Sequence, residues 1–140
     1  MLYFKKHVTK FVILFEGRAG STYLTERLNS HPNIRAYKEV LGPLRDGPPV
    51  LQLKSARKHL TPPLIGRSGA IGFKAKLRIL TDPVKFAHLL KQLPVNIIHL
   101  QRRNKVKEAI SEITSNRLKE TIDNIIYTMN LIGLELSILI

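Results

Sequence analysis

Residues 11–31 read FVILFEGRAGSTYLTERLNSH, and this succession constrains the fold more than any other stretch of the chain. Phe11 to Phe15 form an unbroken apolar run of strand length. Gly17 to Thr22 then make a turn of small residues around Arg18. After it, Leu24 and Leu28 recur four apart, as on the inner face of a helix. A strand that enters a helix through a tight glycine turn leaves free N–H groups pointing outward, and the helix dipole favours negative charge there. Gly20 lets the backbone approach an anion closely. Ser21 and Thr22 add hydroxyl donors, and Arg18 adds a fork of donors that stays charged. The expectation is a cradle for a phosphate-like anion, against the plainer alternative of an ordinary strand-to-helix turn. It is not a Walker A loop, which needs a glycine followed by Lys and then Ser or Thr. Here Ser21 follows Gly20 directly.

The rest of the chain alternates strand and helix. Helix one spans about 21–30 and stops at Pro32, and Ile34 to Tyr37 suit a short second strand. Residues 41–50 are rich in Gly and Pro and read as a loop. Leu51 to Leu60 read as a short basic helix broken by Thr61, Pro62 and Pro63. Ala70 to Leu77 suit a strand. Thr81 or Asp82 caps a helix with Pro83 in its first turn, running to about Leu93 with Val84, Leu89, Leu90 and Leu93 inward. Val95 to Leu100 form a compact apolar strand. Asn104 caps a helix from Lys105 to about Lys119, with Ala109, Ile110, Ile113 and Leu118 inward. This alternation predicts an α/β fold with a parallel sheet flanked by helices. Ligands of such sheets bind beyond the C-terminal strand ends. The loop after Phe15 and the segment after Leu100 both lie at that edge.

A length of 140 residues implies one domain, 1–140, and a hydrophobic content of 44% is ample for a core. Residues 121–140 are an apolar tail of undecided packing: Ile122, Ile125, Ile126, Met129 and Ile132 fit one side of a core helix. With no Cys, the chain has no disulfides or thiolate metal sites. The five histidines are scattered, and no metal site is expected. Neither a signal-peptide pattern nor an apolar stretch of membrane-spanning length is present, so the expectation is a cytoplasmic protein without a membrane partner. The net charge of +13 favours anionic partners without identifying them. From Gly47 to Thr81 there is no Asp or Glu, while Lys54, Arg57, Lys58, Arg67, Lys74, Lys76 and Arg78 are all basic. This run is either a solvated surface or a rim around a polyanionic nucleotide.

Residues 97–111, IIHLQRRNKVKEAIS, repeat the logic of the first segment. A buried strand delivers Arg102 and Arg103 to the sheet edge and a helix begins at once. Ser111 follows Arg103 by eight residues, about two helical turns. An arginine fork with a hydroxyl beside it grips a second phosphate. The bland alternative is a surface arginine pair at a solvated helix.

Together these segments resemble the sulfotransferases that use 3′-phosphoadenosine 5′-phosphosulfate (PAPS). In many carbohydrate-type members the 5′-phosphosulfate loop reads Arg-Ser-Gly-Ser-Ser or Arg-Ser-Gly-Ser-Thr, and the helix after it ends near Asn-x-His-Pro. The match here is Arg18-Ala19-Gly20-Ser21-Thr22, then Asn29-Ser30-His31-Pro32. Ile71-Gly72-Phe73-Lys74 resembles the Gly-Phe-Lys strand of the same group. The doubled arginine with its Asn-Lys-Val and Ala-Ile-Ser looks most like the bacterial trehalose sulfotransferase type. The resemblance covers roughly residues 10–118 and implies a P-loop-like sulfotransferase fold. It gives the 5′-phosphosulfate to Arg18, Ala19, Gly20, Ser21 and Thr22, and the 3′-phosphate to Arg103 and Ser111. Arg102 competes with Arg103, because a one-residue shift turns a strand-end side chain to the other face. Lys74 either sits near the phosphosulfate or lies on an exposed strand face, the second being the expectation.

The implied reaction transfers a sulfuryl group from PAPS to a hydroxyl of a carbohydrate or similar small acceptor, releasing adenosine 3′,5′-bisphosphate. Such a hydroxyl needs a base. The family places a Glu after the His-Pro turn in that role, and Glu39 matches by position, although Val40 stands where a Pro is usual. The alternative is a surface Glu paired with Lys38 or Arg35. Arg18 would neutralise charge on the leaving phosphate. Family members are usually longer, and nothing after Leu118 matches their adenine-covering region or C-terminal basic segment, so the resemblance implies a C-terminally truncated relative. Two other classes remain open. A kinase-like nucleotide-binding protein fits the loop but lacks a Walker Lys. A non-enzymatic nucleic-acid binder fits the charge, but five Phe and four Tyr form no aromatic–basic stripe, and no nucleic acid is expected.

Overall fold

The computed structural model describes residues 7–63 and 69–131, with side chains as far as residue 120. Its elements run β1 (Thr9–Phe15), α1 (Ser21–Asn29), β2 (Ile34–Glu39), α2 (Pro49–His59), β3 (Ala70–Lys76), α3 (Pro83–Gln92), β4 (Asn96–Leu100) and α4 (Lys105–Leu131). The four strands form one parallel sheet in the order β2-β3-β1-β4. The coarse α/β expectation therefore holds. The chain divides into two compact units at Arg102–Arg103.

In the first unit the two central strands, β1 and β3, are covered on both faces, as strands of parallel sheets are. On one face Val12, Phe73 and Ala75 pack with Leu41, Ala56, Leu60, Phe86, Leu89 and Leu90, which brings in α2 and α3. On the other, Phe11, Ile13 and Ala36 pack under Leu24 and Leu28 of α1. The second face is tight. A Cβ at Gly72 would overlap the carbonyl oxygen and ring of Phe11, so only glycine lets β3 lie this close to β1.

Local chemistry sets the element ends. Pro49 takes the first helical position, so α2 begins two residues before the expected Leu51. Asp82 caps α3 by accepting from the Lys85 N–H at 3.0 Å. Phe86, Leu89 and Leu90 form the buried side of α3; Val84, expected inward, is 67% exposed. Phe86 lies one helical turn before Leu90, and that i, i+4 pair sets the inner face.

β4 departs further from expectation. It is an edge strand, with Ile97 and His99 exposed and Ile98 more than a third exposed, rather than a buried one. In the second unit α4 runs past Lys119 to Leu131, since no Gly or Pro interrupts it before Gly133. Asn104 caps it as expected, accepting from the Lys107 N–H at 2.9 Å. Its expected inner residues Ala109, Ile110, Ile113 and Leu118 are exposed. Their spacing is that of a helix face, but spacing alone does not supply a partner. Residues 132–140 of the expected tail lie outside the described residues.

Candidate functional site

The turn between β1 and α1 carries two residues in left-handed backbone conformations, Arg18 at φ 62° and Gly20 at φ 87°, with Ala19 of ordinary hand between them. Alternation of this kind turns successive N–H groups toward one side and makes an anion-binding concavity. Gly20 pays no steric penalty for it, while Arg18, a non-glycine, is held there against its preference. Two contacts brace the loop from outside. Arg102 Nη1 donates to the Arg18 carbonyl oxygen at 3.4 Å, and Glu16, at the loop entrance, pairs with Arg78 Nε at 3.0 Å. The Gly20 carbonyl accepts the Leu24 N–H, so α1 starts at Ser21 with its N-terminus directed into the loop.

Lys74 contradicts the expectation of an exposed face. Its side chain is buried at 6% exposure. The reason is strand alternation. Ile71, Phe73 and Ala75 are buried, Phe73 and Ala75 against the α2–α3 side, which turns Gly72 and Lys74 beneath α1. The Lys74 Nζ donates to Thr22 Oγ1 at 2.9 Å and to Ser21 Oγ at 3.4 Å, and lies 5.5 Å from the centre of the Phe15 ring. Burial holds its ammonium below the ordinary lysine range. The carboxylate of Glu39 pulls the other way, Lys38 lowers it further and Glu26 raises it.

Glu39 comes opposite Lys74 on the neighbouring strand through an irregularity in the sheet. Tyr37 pairs with Phe73 and Glu39 pairs with Lys74, so β2 carries one extra residue, Lys38, at this point. A regular ladder would set Lys38 opposite Lys74, like charge against like. The bulge sets a carboxylate there instead. Among the described residues no ion pair joins Glu39 to Arg35 or Lys38.

The Asn-Ser-His-Pro segment fixes the start of β2. The Asn29 carboxamide forms two hydrogen bonds with the Ala36 backbone, donating to its carbonyl oxygen at 2.7 Å and accepting from its N–H at 2.8 Å. It acts as one rung of an additional strand at the free edge of β2. The His31 Nδ1 accepts from the Asn33 N–H at 3.2 Å, which closes the turn between.

The structure thus brings together Arg18, Ala19, Gly20, Ser21, Thr22, Lys74 and Glu39 in the first unit, and adds Arg102 at the loop backbone. Arg103 and Ser111 belong to the second unit, Arg103 exposed before α4 and Ser111 half-buried on it. Among the described residues no group of three or more His, Asp or Glu side chains is arranged to hold a metal ion, and no helix is long and apolar enough to cross a membrane. Comparison with protein-family models, with curated proteins and with solved structures returns no match.

Proposed function

We propose that this chain is a PAPS-dependent sulfotransferase with a P-loop-like fold, acting on a hydroxyl of a carbohydrate or similar small acceptor. One observation carries the reading. A buried lysine joins the hydroxyls of a glycine turn at a helix N-terminus, and a bulge sets Glu39 opposite it on the neighbouring strand. A cation, a set of free donors and a base at one sheet edge match what sulfuryl transfer demands, which is charge stabilisation and positioning.

In this reading the N–H groups of residues 18–22 hold the 5′-phosphosulfate. Glu39 takes the proton of the acceptor hydroxyl as its oxygen attacks sulfur. The bond from sulfur to the 5′-phosphate oxygen breaks, and Arg18 neutralises the charge that develops on the departing phosphate. Adenosine 3′,5′-bisphosphate leaves. The part of Arg103 and Ser111 in holding the 3′-phosphate rests on the motif alone.

Calorimetric titration at moderate salt tests the reading with three probes: adenosine 3′,5′-bisphosphate, ATP with magnesium, and a mixed oligonucleotide. Saturable binding of the bisphosphate alone, weakened by Arg103→Ala, supports it. Preference for ATP with magnesium points to a kinase-like protein. Binding of the oligonucleotide alone, falling steeply with salt, points to a nucleic-acid binder and removes the proposal.

A further inference from the structure

We infer that Lys74 acts on the bound anion through Ser21 and Thr22, fixing the direction in which their hydroxyls donate, rather than as a contact of the anion itself. The inference rests on the sulfotransferase reading for the identity of the anion, and on geometry for the rest. An ammonium has three donors and no acceptor. Two of the Lys74 donors go to Thr22 Oγ1 and Ser21 Oγ, and the side chain is closed in by the Phe15 ring. A hydroxyl that receives an N–H on its lone pair must aim its own proton elsewhere. Ser21 and Thr22 open α1 at the mouth of the loop, where the free backbone N–H groups also point. Left alone, each hydroxyl would rotate among several acceptors, including backbone carbonyls of its own first turn. The ammonium removes that freedom and makes both side chains donors toward the loop. It also polarises them, since a hydrogen bond from a charged donor strengthens the outgoing one. Lys74 is therefore a positioning residue, and its burial beneath α1 keeps the ammonium from exchanging these partners for water.

A double-mutant cycle on adenosine 3′,5′-bisphosphate binding tests this. Wild type, Lys74→Met, Ser21→Ala/Thr22→Val and the combined triple variant are titrated, with thermal unfolding confirming that each folds. If Lys74→Met does not fold, Lys74→Gln replaces it throughout. Lys74→Met and the double hydroxyl variant are each expected to weaken binding by about tenfold. The triple variant is expected to bind no more than about twofold worse than the double hydroxyl variant, because the ammonium then has nothing to orient. Thr22→Ser, which keeps the hydroxyl, is expected to bind like wild type. Losses that multiply to about a hundredfold in the triple variant would show a direct charge effect and overturn the inference. Failure of the wild-type chain to bind the bisphosphate would instead refute the sulfotransferase reading, which separates the two.

Discussion

The two faces of the one sheet solve opposite problems. Beneath α2 and α3 the sheet presents Val12, Phe73 and Ala75, which join an apolar cluster with Leu41, Ala56, Leu60, Phe86, Leu89 and Leu90. Beneath α1 it presents Phe11 and Ile13 beside a glycine and a buried ammonium. Burial on the first face contributes to stability in the ordinary way. Burial of Lys74 on the second costs stability, and its partners offset only part of that. The difference shows where this fold gives up stability to keep a charge inside. The α2–α3 face holds the sheet together, and the α1 face holds a buried ammonium against the hydroxyls of the turn.

The largest expected effect concerns the α1 side. Glu39→Gln should lower the rate of sulfuryl transfer by roughly a thousandfold at saturating donor and acceptor, with bisphosphate affinity unchanged. Near-normal turnover would remove the carboxylate from the chemistry. The next contrast sets adjacent residues of β3 against each other. Phe73→Ala should destabilise by about 3–5 kcal/mol, read from the denaturation midpoint. Lys74→Met should raise the midpoint near neutral pH while weakening anion binding. The sign with pH follows from the lowered Lys74 pKa. Between that value and the ordinary lysine value the unfolded chain holds more protons, so stability should rise with pH in this window. Lys74→Met should abolish the rise. If Lys74→Met were as damaging as Phe73→Ala, the two faces would not differ in the way described.

Asn29→Ala sharpens the comparison at the free edge of β2. It removes two backbone partners of Ala36 and should cost about 2 kcal/mol. It should also lower turnover more than bisphosphate affinity, because β2 ends in Glu39 and the turn at residues 18–22 lies on other elements. The smallest effect lies on the α2–α3 side. The Lys85 N–H, donating to the Asp82 carboxylate, holds its pKa below the usual Asp value. The stability it contributes is present above the ordinary Asp pKa and is lost as pH falls through the lowered folded value. Asp82→Ala should therefore flatten the acid limb of the unfolding curve slightly.

Much of this was legible in the sequence. Glycine, proline and capping residues mark the ends of α1, α2 and α3, and the alternation of strands and helices requires a parallel sheet. The turn was legible because Gly17, Arg18, Gly20, Ser21 and Thr22 fall within six residues, between an apolar run and a helical repeat. Lys74 is buried where an exposed strand face was expected, although the sequence holds a signal for it. A parallel sheet is covered on both faces, so the alternation of Ile71, Phe73 and Ala75 already implied that the Gly72–Lys74 side is covered too. The bulge at Lys38 had no such signal, since register depends on pairing with β3 and not on the local sequence of β2. The exposure of β4 and of the apolar positions on α4 was also hidden. Periodicity shows that a face is apolar and says nothing of what lies against it.

The central claim is that the turn at residues 18–22 is the anion cradle. An NMR titration of isotope-labelled protein with adenosine 3′,5′-bisphosphate tests it most directly. The account predicts saturable shifts that are largest at the backbone amides of Ala19, Gly20, Ser21 and Thr22, accompanied by the Lys74 side chain. Shifts confined to the basic residues Lys54, Arg57 and Lys58 of α2, with the loop amides unmoved, would contradict it.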